Sequence, residues 1–194
     1  MTSHYINIRL LRDPESTPEQ LLGVLFGKLH SALVELETGE VGISLPKHSA
    51  ESTGDLLRLH GSREALETLQ AQNWLQGLRD YVLCLPIAPV PEDCAFCVVS
   101  RVQTDSNPDR QRRRLTRRLM EREQLDESSA LALATQRIPD RAAQFCDLPW
   151  IEMRSGSSGQ RFRLFIKHHR PINTPTPGTF STYGLSATAT VPWF

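Results

Sequence analysis

Hydrophobic and polar residues alternate in HYINIRLL, which puts Ile6, Ile8 and Leu10 on one face of a half-buried strand. The period then changes. Leu21, Leu22, Leu25, Leu29, Ala32 and Leu33 recur at the three- and four-residue spacing of an amphipathic helix. Thr17-Pro18-Glu19-Gln20 supplies its start, a capping box with proline in the first turn, and the helix is predicted to run to about Leu36. VGISLP and LLRLHG, separated by a polar loop, are strand-like runs able to pair. Ser62 caps a second amphipathic helix predicted through about Leu78, and a closing strand follows from either YVLCLPI or CVVSRVQ. Strand, helix, strand, strand, helix, strand is the order of the split βαβ, ferredoxin-like arrangement. RNA-recognition modules share it with many proteins that never meet nucleic acid, so fold alone assigns no activity.

Beyond residue 103 the pattern is less regular. Asn107 and Pro108 are suitable N-cap and first-turn residues for a helix over PDRQRRRLTRRLMERE, and DESSALALATQ predicts another. WIEMR and RFRLFIKHHR predict two strands around the turn SGSSGQ, and a proline-rich connector, PINTPTPGTF, leads to STYGLS and the apolar VPWF. The expectation is an α+β chain. A ferredoxin-like (RRM-like) βαββαβ domain spans residues 1–103, and a smaller C-terminal region, 104–194, holds an arginine-rich helix and a β-hairpin.

Composition is that of an ordinary globular protein, 39% hydrophobic and 23% charged over 194 residues. The formal net charge of zero hides an asymmetry: residues 1–100 hold 7 basic and 13 acidic side chains, and residues 101–194 hold 15 and 9. The second half is the one suited to attract a polyanion, and the acidic first half limits nonspecific binding. The segment MTSHYINIRLLRD lacks a positive stretch followed by an apolar run, and nothing in the chain approaches the roughly 20 apolar residues of a membrane span. A cytoplasmic protein with no membrane partner is expected. Cys84, Cys94, Cys97 and Cys146 are too irregular in spacing for a disulfide framework. The lone CxxC of Cys94 and Cys97 lacks the second pair that a structural zinc site wants, and it opens a strand rather than a helix. Acids are scattered without a DxD or HxH cluster, so no metal site and no cofactor is expected.

The arginine helix changes the picture most. At 100° per residue Arg110, Arg113, Arg114, Arg117 and Arg118 fall within an arc of about 140°, with Leu115 and Leu119 on the other side. Asp109, Glu121 and Glu123 sit at the helix ends, so the middle of the face has no intrahelical acid. Aligned arginines repel one another unless an anion lies along them, and a planar guanidinium grips phosphate and the guanine edge with two hydrogen bonds. A solvated charged face is the bland alternative. Just upstream, Arg101 and Gln103 have the two-residue spacing that shares one strand face, and both side chains can read base edges.

VLFGKLH, SRVQ, SNPDRQRRRLTRR, RIPD, RSGSSGQRFRLFIKH, YGLS and VPWF, in this order, resemble the type I-F CRISPR endoribonuclease family that processes precursor CRISPR RNA. The resemblance runs nearly end to end. It implies binding of the CRISPR repeat stem-loop with the arginine helix in the major groove, and one metal-independent cut at the 3′ base of the stem. The 2′-hydroxyl attacks the adjacent phosphate and leaves a 2′,3′-cyclic phosphate, and the product stays bound within a surveillance complex of further subunits. The free protein is expected to be a monomer. By motif, His30 matches the proton-transfer residue, Ser155 the serine that places the nucleophilic hydroxyl, and Tyr183 the tyrosine that orients the histidine. Phe162 matches the aromatic stacked on the base pair closing the stem. Arg101 and Gln103 match readers of bases near the cut, and Arg113, Arg114, Arg117 and Arg118 match the groove-facing arginines. Leu119 stands where a polar, RNA-contacting residue is expected, and the stretch Met120 to Gln136 is longer than the family's usual connection.

Without the resemblance the residues leave more open. Histidine suits proton transfer near neutrality, but His30 beside Leu29 on a packed helix is also an ordinary boundary residue, and His168 and His169 beside a basic strand compete with it. Ser155 lies in a Gly/Ser turn that can be only a turn; Ser157 and Ser158 are candidates to hold a phosphate there. Phe162 between two arginines is a stacking platform if it faces solvent and core if it faces inward. Two rivals stand beside the nuclease: a noncatalytic RNA-hairpin-binding subunit and a DNA-binding adaptor using the same helix. Side chains read the deep major groove of A-form RNA poorly, so an RNA reader of this kind requires a short hairpin whose groove opens near its end.

Overall fold

A computed structural model of the chain describes residues 2–50, 52–103, 108–138, 148–156 and 159–194, and in the first turn of the arginine helix it describes backbone only. The chain divides into two compact units, residues 1–102 with 147–194, and residues 103–146.

In the larger unit, β1 (His4–Leu10) is followed by α1 (Pro18–Leu36), β2 (Gly42–Ser44), β3 (Leu56–Gly61), α2 (Arg63–Ala71) and β4 (Val82–Cys84). The first sheet has the order β2-β3-β1-β4, antiparallel throughout, and the two-residue β5 (Ala88–Pro89) extends the β1 edge. That order is the ferredoxin-like one. Thr17 caps α1 as predicted, its hydroxyl accepting from the Gln20 N–H while the Gln20 side chain accepts from the Thr17 N–H. The predicted stripe is buried together with Phe26, and it packs on Ile6, Ile8 and Leu10. Helix α2 is shorter than predicted. It stops at Ala71, and Asn73 takes a left-handed φ of 53°. Trp74, Leu75 and Leu78 remain buried in the turns that follow, so the apolar pattern outlasts the helix.

Both candidate closing strands exist, in different sheets. YVLCLPI supplies β4, whereas CVVSRVQ supplies β6 (Ala95–Val102), the centre of a second antiparallel sheet with β7 (Trp150–Arg154), β8 (Arg161–His168) and β9 (Thr190–Trp193). Its order is β7-β8-β6-β9, and VPWF, assigned no element from sequence, forms its edge. Cys97 points into the core and its thiol donates to the His169 carbonyl at 3.0 Å. Helix α1 packs against both β1 and β7, so one helix serves two sheets.

The smaller unit is a helical hairpin of α3 (Pro108–Glu123) and α4 (Glu127–Arg137). Asp126 caps α4. Thr116 and Leu119 of α3 and Ala130 and Ala134 of α4 are buried, and the two small alanines let the helices approach. Among the described residues no helix is long and apolar enough to cross a membrane.

Candidate functional site

His30 lies near the middle of α1 with Phe26 one turn before it on the same side. Its Nδ1 is 2.9 Å from the carbonyl oxygen of Thr182. A carbonyl can only accept, so Nδ1 carries the proton and the neutral ring keeps its lone pair on Nε2. The Tyr183 ring lies parallel to the imidazole, centroids 4.1 Å apart and planes 1° apart. Phe26 stacks on the same tyrosine at 6.4 Å and 13°. Position and tautomer of His30 are thus both set by the 182–183 segment.

Main-chain bonds hold that segment in place. The Phe180 N–H donates to Gly39, the Ile43 N–H to the Gly184 carbonyl at 2.9 Å, and the Ser186 N–H to Val99 at 3.0 Å. A tight turn places Tyr183, with the Gly184 N–H donating to Ser181 at 2.7 Å. Gly184 has φ 68°, and a Cβ on it would stand 2.6 Å from the Ile43 side chain, so YGLS tolerates only glycine there.

Arg101 and Phe162 complete the row. The Arg101 guanidinium carbon is 5.9 Å from the Tyr183 ring centroid and 5.8 Å from that of Phe162. Phe162 packs against the core yet is only half-buried, so it is neither of the two extremes open from sequence. His30, Tyr183, Arg101 and Phe162 therefore adjoin one another, a general-base candidate beside a cation and two aromatic faces. Gln103 is exposed but lies past the end of β6 at Val102, so strand periodicity does not carry it onto the face of Arg101. Ser155 opens the β7–β8 turn, its N–H donating to Gln160 and its carbonyl accepting from Gly159, each at 2.8 Å. Ser157, Ser158 and Asn107 lie outside the described residues.

Of the competing histidines, His168 is engaged in packing and His169 is exposed. His168 Nε2 accepts the Leu45 N–H at 3.0 Å, its ring stacks on His48 at 3.9 Å, and burial lowers its pKa to about 3. His169 Nε2 sits 2.8 Å from the Ser100 hydroxyl. His60 is fully buried against Ser44, also with its pKa lowered by burial to about 3.

On α3, Arg113, Arg114, Arg117 and Arg118 are exposed and line one concave surface with Glu121 and Arg122. Arg110 is helical, with its side chain outside the described set. Arg112 turns the other way and donates through Nε to the Ile138 carbonyl at 2.8 Å, tying α3 to the end of α4. Leu119 is buried in the hairpin rather than presented outward, which accounts for an apolar residue there. The long stretch after it is the end of α3 and most of α4.

Thr182 and Phe26 were not singled out from sequence. Phe26 had a signal, its four-residue spacing from His30 on one helix, whereas a carbonyl contact across 152 residues leaves none.

Residues 5–194 match the family model of the CRISPR-associated protein Cas_Csy4. The CRISPR-associated endonuclease Cas6/Csy4 of Escherichia coli (strain UTI89 / UPEC) is 47% identical over 191 residues, 98% of this chain and 99% of the relative. The CRISPR-associated endonuclease Cas6/Csy4 of Pseudomonas aeruginosa (strain UCBPP-PA14) is 47% identical over 193 residues, 98% and 99% of the two chains. With the match running from the first strand through the last, the chain belongs to the Cas_Csy4 family of CRISPR-associated proteins.

Proposed function

We propose that the protein is an endoribonuclease that binds the CRISPR repeat stem-loop and cuts precursor CRISPR RNA once, at the 3′ base of the stem, without a metal ion. The observation that carries the proposal is the His30 arrangement: Nδ1 bonded to Thr182, a ring stacked on Tyr183, and Nε2 left with its lone pair. Its relatives' designation as CRISPR-associated endonucleases supports the same reading.

In this mechanism Ser155 places the 2′-hydroxyl and His30 Nε2 takes its proton. The 2′-oxygen bonds to phosphorus, the bond to the 5′-oxygen of the next nucleotide breaks, and a proton returned to that oxygen completes the exchange. The products are a 2′,3′-cyclic phosphate and a 5′-hydroxyl. Tyr183 orients the imidazole, Phe162 stacks on the base pair closing the stem, and Arg101 and Gln103 read bases near the cut. The side chains gathered at His30 are aromatic or cationic, which suits an anionic phosphate. Arg110, Arg113, Arg114, Arg117 and Arg118 lie along stem phosphates, and Ser157 and Ser158 hold a phosphate beside Ser155. The enzyme works in the cytoplasm, is a monomer when free, and keeps its product as a subunit of the type I-F surveillance complex.

The test is a repeat hairpin carrying a single 2′-deoxyribose at the cut. Loss of cleavage with binding retained, and a cyclic phosphate on the product of the all-ribose hairpin, are expected. Cleavage of the deoxy hairpin contradicts the mechanism.

A further inference from the structure

Helix α1 carries two glycines in its interior, Gly23 and Gly27, one turn apart. Glycine weakens a helix interior relative to alanine, so each position calls for a reason. Gly23 has one inside the protein. A Cβ there would stand 2.7 Å from the main-chain oxygen of Glu152, so α1 can cross β7 this closely only without a side chain. Gly27 has no such neighbour: a Cβ built on it meets no described atom within 4 Å. The helix gives up stability at a place where its own fold leaves room for a methyl group.

What borders that room is informative. His30 follows three residues later, about 60° around the helix and about 4.5 Å along it, so the bare surface adjoins the imidazole. Ser31, one turn after Gly27, folds its hydroxyl back to the Gly27 carbonyl at 3.2 Å instead of projecting over the gap. Arg101 approaches the ring of Tyr183, its guanidinium carbon 5.9 Å from the centroid, and that ring stacks on the same histidine. A bare stretch of main chain next to a proton-transfer residue, with a cation on the tyrosine that holds that residue, fits a sugar–phosphate backbone.

We propose that Gly27 is the point of closest approach between α1 and the backbone of the RNA strand being cut, where the missing side chain lets the scissile ribose reach His30. The proposal rests on the assignment of His30 as the proton-transfer residue. Gly27 acts here as a positioning residue. A methyl group on it would stand between the strand and the helix, and a misplacement of ~1 Å at a reacting centre can cost up to about 100-fold in rate.

The experiment compares Gly27→Ala, Gly27→Leu and His30→Ala with wild type. Three quantities are read: Tm, affinity for a repeat hairpin with 2′-deoxyribose at the cut, and single-turnover cleavage of the all-ribose hairpin. The proposal expects opposite signs. Gly27→Ala should raise Tm by about 2 °C or more, since alanine favours the helix, while cleavage falls about tenfold or more and falls further in Gly27→Leu. Wild-type cleavage by both glycine variants, with His30→Ala inactive, overturns the role of Gly27 alone, and the surface is then free for a protein partner. Loss of cleavage accompanied by a lower Tm in Gly27→Ala also overturns it, because the glycine would then serve the fold. Full cleavage by His30→Ala overturns the assignment of the histidine, and this inference with it.

Discussion

Removing the Tyr183 ring while leaving the Thr182 carbonyl in place separates the two supports of His30. The stack, with centroids 4.1 Å and planes 1° apart, is ring on ring, so its effect resides in the face of the tyrosine and not in its hydroxyl. Aromatic pairs contribute about 0.5–1.5 kcal/mol beyond burial. If that energy is spent on keeping the imidazole aligned, Tyr183→Ala should slow cleavage by about 2- to 13-fold. The bond from Nδ1 to Thr182 persists in the variant and keeps the lone pair on Nε2, so the loss is bounded. Tyr183→Phe retains the stacked face and also the contact with Phe26, and should cut within about twofold of wild type. The assay is single-turnover cleavage with protein in excess of the hairpin, so that the lower stability expected from truncating a half-buried ring does not enter the rate. A loss in Tyr183→Phe equal to that in Tyr183→Ala would refute the reasoning, since only the hydroxyl would then matter.

Two further outcomes are expected. Replacing exposed Arg117 with alanine should weaken hairpin binding and lower the salt slope of the affinity by about one for the lost phosphate contact; an unchanged slope removes Arg117 from the phosphates. His60 and His168 are kept neutral by burial, with pKa values lowered to about 3 from 6.5. The unfolded chain takes up these protons first, so the stabilising contribution is complete above about 6.5 and is lost as pH falls toward about 3. The slope is about 1.4 kcal/mol per pH unit for each ring within that window. Urea unfolding at pH 7 and pH 5 measures it, and equal stabilities at the two would contradict the burial argument.

What the sequence made legible follows from how local each signal is. The start of α1, the spacing of its stripe and the existence of α3 and α4 rest on patterns within a few residues, and capping and periodicity report those directly, whereas the packing of α3 on α4 was not read from sequence. The end of α2 was misjudged because Trp74, Leu75 and Leu78 stay buried after the helix has stopped, so hydrophobic spacing continued without helical backbone. The pairing of β6 with β8 and β9 joins segments far apart in the chain, and alternation within a strand says nothing about its neighbours. The arginine face was readable from angular spacing alone, but Arg112 interrupts the run by turning toward Ile138. For the site, His30 and Tyr183 were chosen as separate motifs; their stacking and the carbonyl that sets the tautomer arise only from the fold. His168, a competitor on sequence, is disqualified by its bond to the Leu45 N–H and by burial.

The measurement that bears most directly on the central claim is cleavage of the CRISPR repeat hairpin in EDTA by wild type and by His30→Ala, with binding of both proteins to the same RNA recorded alongside. The wild type is expected to cut, and the variant to bind equally well and leave the RNA intact. Cutting by the variant at the wild-type rate, or no cutting by a wild type that binds, would contradict the claim.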